Sequence, residues 1–175
     1  LEVIQTTSRG LIAFVESYRR FTRIPQPDFK LLYVTKLLEQ QVALGTEITP
    51  NEKIQITIDV EPDDLMIQAD ENQISQVILN LIKNAVEACG KKQHPRIDIK
   101  VVPGFAWQCL ITVSDNGDGI LPDVQDKIFV PFFTTKAEGS GIGLSISRQI
   151  MRLHHGSIKL LYSNERETAF LLTFR

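Results

Sequence analysis

Two stretches of apolar residues with helical spacing open the chain. The first precedes Pro25, and its steps alternate between three and four residues, which is a heptad seam interrupted by one serine. The seam consists of Leu1, Ile4, Ser8, Leu11, Val15 and Tyr18. A seam this narrow is typical of a helix that packs against another helix, and an amphipathic helix packed on its own domain is the alternative. The second stretch, residues 29–44, predicts a shorter helix that Gly45 and Pro50 end.

The clearest helical pattern follows Asp70, which suits an N-cap, with Gln73 in the position that completes a capping box. Its broad apolar stripe consists of Ile74, Val77, Ile78, Leu81, Ile82, Ala85 and Val86. Three polar residues lie beside this stripe on one face of the helix: Asn80, Asn84 and Glu87. Asparagine is a poor helix former, so helix propensity does not explain its recurrence. An ordinary solvent-exposed face is the alternative to a binding face.

Short apolar patterns predict strands in several other stretches, and the apolar residues of the first of these alternate strictly with polar ones. These stretches are residues 54–60, 65–67, 96–102, 107–114, 157–161 and 168–174. Pro103 and Gly104 form a turn signal between two of them, and Trp107 shares the alternating apolar face of the second. A fourth helical pattern, in residues 142–153, precedes the last two strands. The predicted fold is therefore α/β, a two-layer sandwich of a mixed, mostly antiparallel sheet with helices on one face, preceded by a long helix.

Composition narrows the class of protein. The 175 residues are 43% hydrophobic and 23% charged, which is typical of a globular protein. The net charge of −2, with no basic block, gives nucleic-acid binding no electrostatic support. No apolar run approaches the roughly 20 residues of a membrane span, and no signal-peptide pattern opens the chain. Cys89 and Cys109 lie far apart in apolar patterns, which favours buried, reduced thiols of a cytoplasmic protein over a disulfide.

Residues 114–144 combine two chemically different ends. An acidic turn runs from Asp115 to Gly119, and a glycine run from Gly139 to Gly143 leads into a helical pattern. The first amide N–H groups of a helix lack partners, and the helix dipole favours an anion there. An acidic turn repels that anion and suits a hydrogen-bond donor instead. A nucleotide has both a phosphate end and a base with donors.

The glycine run by itself is a weak signal. Leu144 stands where the dinucleotide fingerprint needs its third glycine, and the chain contains no P-loop sequence. Four motifs in a fixed order are far more specific. They are NLIKNA at residues 80–85, DNGDGI at 115–120, FVPFFTTK at 129–136 and GSGIGL at 139–144.

With these motifs, the chain resembles the catalytic and ATP-binding domain of two-component sensor histidine kinases, within the GHKL ATPase superfamily. The resemblance implies a Bergerat-type ATP-binding fold at residues 51–175. Residues 1–24 would be the second helix of the dimerisation and phosphotransfer hairpin, and residues 25–50 the connecting segment with its short helix. The cofactors it implies are ATP and Mg²⁺.

The resemblance also implies roles for individual residues. Asn84 would coordinate Mg²⁺, with Asn80 near the metal and phosphates and Glu87 as a further contact. Asp115 would accept a hydrogen bond from the adenine amino group. Thr168 would assist Asp115 through water, although Glu167 stands where the family usually has a glycine.

Residues 116–140 would be the lid over the nucleotide. Its Phe129, Phe132 and Phe133 would pack partly as core. Lys136 would reach the phosphates, and a solvated loop lysine is the alternative. The remaining nucleotide contacts implied are Gly117, Gly119, Ile120, Thr135, Ser140, Gly141, Ile142, Gly143 and Leu144.

Asn80 stands where hydrolytic branches of the superfamily have a glutamate that activates water. An amide cannot act as a general base near neutral pH, so hydrolysis is not expected. None of His94, His154 and His155 matches the family's phosphoacceptor. We therefore expect an ATP-dependent protein-histidine kinase with no catalytic residue in this chain, which binds ATP but does not autophosphorylate alone.

The resemblance implies two partners: a second copy, through the first helix, and the receiver domain of a response regulator. It implies a cytoplasmic location, with the possibility of a membrane-anchored sensor elsewhere in the protein, and no membrane or nucleic-acid contact by this fragment. Two alternatives stay open, a catalytically silent nucleotide-binding scaffold and another GHKL kinase or ATPase.

Overall fold

The computed structural model describes residues 15, 18, 19, 22–48, 54–90, 92–136 and 139–175. Within residues 30–175 of this part, the helices are α1 (Val34–Ile48), α2 (Glu71–Ala88) and α3 (Gly143–Leu153). The strands are β1 (Lys30–Tyr33), β2 (Gln55–Val60), β3 (Met66–Ala69), β4 (Arg96–Pro103), β5 (Cys109–Asp115), β6 (Ser157–Ser163) and β7 (Thr168–Phe174). Short 3₁₀ turns occupy Phe105–Trp107 and Pro122–Lys127.

Five strands form the main sheet in the order β2-β4-β5-β7-β6. The β2–β4 pair is parallel and the other pairs are antiparallel, with Asp115 at the end of β5 opposite Thr168 of β7. The short strands β1 and β3 pair separately. The predicted mixed, mostly antiparallel sheet with helices on one face is confirmed.

Helix α2 lies at the centre of the core, in contact with both α1 and α3 and with the sheet. Every residue of its predicted apolar stripe is buried. Burying one such aliphatic side chain is worth about 1.5–3 kcal/mol, so the stripe is the main reason that α2 stays on the sheet. Its polar face, with Asn80 and Asn84, is thereby directed towards the lid and α3.

The helix predicted in residues 29–44 is partly wrong. Residues 30–33 form β1, because their backbone pairs with β3, and α1 begins only at Val34. The helix also continues past Gly45, where the prediction ended it. A Cβ atom at Gly45 would lie 2.8 Å from the Ile82 side chain. The glycine therefore allows α1 to approach α2 closely instead of ending α1.

The capping box is also only half correct. The Asp70 side chain caps α2 by accepting from the Gln73 backbone N–H at 3.0 Å. The Gln73 side chain does not accept from the Asp70 N–H, and its Nε2 donates to Pro25 O at 3.0 Å. The Asp70 N–H instead donates to His154 Nε2 at 3.0 Å, which ties the start of α2 to the end of α3.

The prediction for Trp107 is wrong. Strand β5 begins at Cys109, and Trp107 is completely exposed in the turn that joins β4 to β5. Ala106 and Trp107 have φ values of 54° and 65°, and Gly104 N–H donates to Gln108 O at 2.7 Å. The tight turn interrupts the period-two pattern and rotates the indole into solvent.

Most of the predicted heptad seam lies outside the described residues. Only Val15 and Tyr18 of the seam are described, and both are helical. Cys89 and Cys109 are free thiols and buried, as predicted. No helix in the described ranges is both long and apolar enough for a membrane crossing.

Candidate functional site

A cavity of about 830 Å³ opens between the polar face of α2, the end of β5, the lid and the start of α3. Its volume suits a ligand of nucleotide size. Every predicted cofactor-binding residue except Gly117 and Ile142 lines it. These residues are Asn80, Asn84, Glu87, Asp115, Gly119, Ile120, Thr135, Lys136, Ser140, Gly141, Gly143, Leu144 and Thr168.

The two exceptions pack against the protein instead of lining the cavity. Gly117 packs under the site, where a Cβ atom would lie 2.6 Å from the Ala88 Cβ at the end of α2. Ile142 is the residue before α3, and its side chain is buried in the hydrophobic core. Both predictions came from motif membership, which does not distinguish a lining residue from a packing residue.

Asp115 forms the acidic end of the cavity as the last residue of β5. Its Oδ1 accepts a hydrogen bond from Gly117 N–H at 2.8 Å, so Oδ2 is the oxygen left for a donor in the cavity. Burial raises the pKa of Asp115 to about 6, while the Gly117 hydrogen bond acts to lower it. The carboxylate is ionised at neutral pH and can only accept hydrogen bonds.

A hydroxyl network next to Asp115 holds the root of the lid. Thr168 is buried, and its Oγ1 lies 2.9 Å from Ser163 Oγ, which also accepts from Ile120 N–H at 2.8 Å. Gln125 Nε2 donates to Ile120 O at 2.8 Å. Neither Ser163 nor Gln125 belongs to the sequence motifs that predicted the site. The only available signal was the hairpin register that places Ser163 opposite Thr168.

Asn80 joins α2 to α3. Its Nδ2 donates to Ser147 Oγ at 3.1 Å. Its Oδ1 lies so close to Gly143 that a Cβ atom there would be 2.4 Å away. The amide therefore fixes the start of α3 beside the cavity, and Gly143 provides the space for this contact.

The glycine run forms the other end of the cavity. Gly141 has a φ of +67°, and its carbonyl accepts from Phe132 N–H at 2.9 Å, which holds the run against the lid. Among the described residues, no side chain caps the first turn of α3. Because its amide N–H groups have no capping side chain, this end can bind an anion.

Asn84 and Glu87 lie one helical turn apart and share one cation. Asn84 Oδ1 accepts from the Lys136 ammonium at 3.0 Å, and Glu87 forms an ion pair with the same ammonium. An amide oxygen and a carboxylate around a cation fit Mg²⁺, which prefers oxygen ligands. The described residues include no group of three or more His, Cys, Asp or Glu suited to a metal. Phosphate and water would therefore have to complete the coordination.

Comparison with known proteins identifies the family. The family of histidine kinase-, DNA gyrase B-, and HSP90-like ATPases matches residues 69–175. The sensor protein FixL of Bradyrhizobium diazoefficiens is 34% identical over 142 residues, which cover 81% of this chain and 28% of FixL. The chain thus spans less than a third of that relative.

Solved structures agree with this match. The catalytic domain of histidine kinase ThkA superposes with a TM-score of 0.74 at 30% identity, over 84% of this chain and 95% of that one. ThkA in complex with the response regulator protein TrrA superposes with a TM-score of 0.77 at 26% identity, over 98% of this chain and 49% of that one. The chain belongs to the family of histidine kinase-, DNA gyrase B-, and HSP90-like ATPases and is an ATP-binding catalytic domain of the sensor histidine kinase type.

Proposed function

We propose that this domain binds Mg-ATP and presents the γ-phosphate to a histidine on a helix that this sequence does not contain. One observation carries the proposal. A single cavity joins the buried Asp115 carboxylate to the uncapped first turn of α3, with Asn84 on its wall between them. These are an acceptor for a base, donors for phosphates and an oxygen ligand for a metal, the three kinds of group that a metal-bound nucleotide requires.

Asp115 Oδ2 would accept the hydrogen bond of the adenine amino group, and the amides of residues 140–144 would bind phosphate oxygens. Asn84 and Glu87 would hold Mg²⁺, which, when bound, neutralises phosphate charge. Catalysis by such a site consists mainly of positioning and electrostatic stabilisation. The protein therefore needs no nucleophile inside the cavity.

Phosphate transfer fits the site better than hydrolysis. Asn80 cannot remove a proton from water, and its amide already donates to Ser147. An ATPase would need another base in reach of the γ-phosphate. Steady release of inorganic phosphate from ATP by this domain would support the ATPase alternative.

We also propose the finer assignments that the resemblance implies. The hairpin helix would be residues 1–24, the connecting segment residues 25–50 and the ATP-binding domain residues 51–175. The first helix would pair with that of a second copy, and a response regulator would receive the phosphate. The structure of ThkA with the response regulator TrrA supports the second partner. The site would work in the cytoplasm, where ATP is available.

Nucleotide selectivity tests the site. Titration calorimetry with ATP and GTP should show a clear preference for ATP. In Asp115→Asn, Oδ1 keeps the Gly117 hydrogen bond, and the amide NH₂ then faces the adenine amino group. Two facing donors should lower ATP affinity by at least about fivefold, because an unpaired buried polar group costs about 1–3 kcal/mol.

The same NH₂ can donate to the guanine oxygen, so D115N should bind GTP relatively better than the unmodified domain does. Asp126→Asn, at an exposed carboxylate of the lid, is the matched control and should bind both nucleotides as before. Equal affinity of D115N and D126N for ATP would contradict the proposed site.

Radiolabelled ATP tests the transferase activity. The domain alone should acquire no acid-labile phosphate, whereas a histidine-bearing hairpin from the same full-length protein should become labelled when it is added. Acid-labile label on this chain alone would contradict the proposal. Binding of ATP without labelling of any added hairpin would instead favour the silent scaffold.

A further inference from the structure

Lys136 extends from the lid to the oxygens that the proposed function assigns to the metal. Its ammonium donates to Asn84 Oδ1 at 3.0 Å and pairs with the Glu87 carboxylate. Both partners lie on α2, one helical turn apart. The contact joins the lid to α2 across the cavity.

The backbone of the lid aims Lys136 in this direction. Lys136 N–H donates to Thr134 Oγ1 at 3.1 Å, and Gly139 N–H donates to Lys136 O at 3.3 Å. Gly139 approaches so closely that a Cβ atom there would lie 2.5 Å from Thr134 Oγ1. The lysine therefore extends from a tight turn, and its direction does not depend on Glu87 alone.

We propose that Lys136 and Mg²⁺ are exchangeable occupants of the Asn84–Glu87 pair, and that a γ-phosphate is what draws the lysine away. The inference rests on the proposed function. Two cations cannot share the same two oxygens, because their repulsion opposes the attraction that holds each of them. Binding of the metal must therefore break the contacts of the Lys136 ammonium.

The nucleotide decides what this exchange costs. With ATP, the displaced ammonium can pair with the γ-phosphate, so one charge-assisted contact replaces another. With ADP no γ-phosphate is present, and the ammonium loses its partners to solvent. Lys136 would therefore be a specificity-determining residue that weakens Mg-ADP relative to Mg-ATP and favours release of the product.

The contribution of magnesium to ADP affinity isolates this effect. We would measure the dissociation constant of ADP by calorimetry, with excess Mg²⁺ and with EDTA, and take the ratio of the two. Without metal the lysine can stay on Asn84 and Glu87, so the ratio reports the exchange between lysine and metal. The loss of one positive charge in the variant weakens nucleotide binding with and without metal, so this effect cancels in the ratio. In Lys136→Met the enhancement by Mg²⁺ should rise by up to about fivefold, given the modest strength of an exposed ion pair.

Lys127→Met is the matched control. Lys127 carries the same charge in the same lid, and it has no hydrogen bond or ion pair with Asn84 or Glu87. Its ratio should equal that of the unmodified domain. A non-hydrolysable ATP analogue should not show this rise in Lys136→Met, because the variant loses both the contact that competes with Mg²⁺ and the contact with the γ-phosphate, and the two losses offset each other.

Equal magnesium ratios for ADP in the unmodified domain and in Lys136→Met would overturn the inference while leaving the proposed function intact. Absence of nucleotide binding by the unmodified domain would overturn both. Hydrogen exchange gives a second readout without nucleotide. The amides of residues 134–136 should exchange faster in Lys136→Met than in Lys127→Met, and equal rates would remove the contact on which the inference depends.

Discussion

At the scale of single residues, Asp115 shows how a binding group is held at the expense of stability. The carboxylate is buried at the end of β5, where, within the described part of the chain, only its Oδ1 has a backbone donor, Gly117 N–H. Burial raises its pKa from 3.8 to about 6. An acceptor that is poorly satisfied within the protein is free to satisfy a ligand.

This raised pKa makes the stability of the domain depend on pH in a defined direction. Between the unfolded and folded pKa values the folded domain binds more protons, so the free energy of unfolding falls as the pH rises from about 4 to 6. Asp115→Asn cannot ionise. Without nucleotide, D115N should therefore have a higher free energy of unfolding than the unmodified domain at pH 7.5. The difference between the two proteins should be larger at pH 7.5 than at pH 4, by an amount on the order of 2 kcal/mol.

Urea unfolding at the two pH values would measure this difference. Asp126→Asn, at an exposed carboxylate, should change the free energy of unfolding little at either pH. If D115N were less stable than the unmodified domain at pH 7.5, the ionised carboxylate would be stabilised by its surroundings in the fold, and the proposed cost of its burial would be wrong.

At the scale of elements, the start of α2 is where the preceding segment is attached. Asp70 Oδ1 caps the helix, and its Oδ2 accepts from Asp28 N–H at 2.9 Å. Burial acts to raise the pKa of Asp70, and the backbone donors of Asp28 and Gln73 hold it below its usual value. Phe29 adds an edge-to-face contact with His154 at a centroid distance of 5.2 Å.

Asp70→Ala should lower the free energy of unfolding by about 1–2 kcal/mol, because α2 loses its N-cap and residues 25–29 lose an anchor. Asp70→Asn separates these two effects. The amide oxygen of Asn still caps the helix, while its NH₂ cannot accept from Asp28 N–H. The free energy of unfolding of D70N should therefore lie between those of the unmodified domain and D70A. Denaturant unfolding at pH 7 measures all three.

Asp64→Ala, at an exposed turn carboxylate, is the control for Asp70→Ala and should be close to neutral. If D70A were as stable as D64A, neither the cap nor the anchor would contribute to the stability of the domain.

At the scale of the whole molecule, the main sheet separates two ends with different roles. Asp115 ends β5 at the cavity, opposite Ile97 of β4, and the turn that carries Trp107 lies at the other end of the same hairpin. A strand of this length spans roughly 20 Å. Changes at the turn should therefore not reach the nucleotide site.

Trp107 is the one tryptophan of the chain and tests this arrangement directly. Its emission in the folded domain should already be that of a water-exposed indole, so unfolding in denaturant should shift it little. Trp107→Ala should change the free energy of unfolding by no more than about 0.5 kcal/mol and leave ATP affinity unchanged.

Ile111→Ala is the comparison within the same hairpin. Ile111 is fully buried, and its truncation should cost about 2–5 kcal/mol. An emission maximum that moves to longer wavelength on unfolding would mean that the indole is buried, as the alternating pattern of β5 first indicated.

The sequence by itself determined the features that depend on local pattern. The period of apolar residues located α2, α3 and the main strands, because burial on one face requires that period. The four motifs identified most of the residues around the cavity through the family resemblance that they carry. The family follows from those motifs.

Only the tertiary structure decided the features that depend on distant contacts. Residues 30–33 became a strand because β3 was there to pair with, and Gly45 stayed helical because α2 needed close approach. Lys136 contacts α2, and Ser163 holds the lid root, across separations in the chain that no local pattern encodes. The energy of such contacts depends on which surfaces the fold brings together, and a periodic pattern carries no information about that partner.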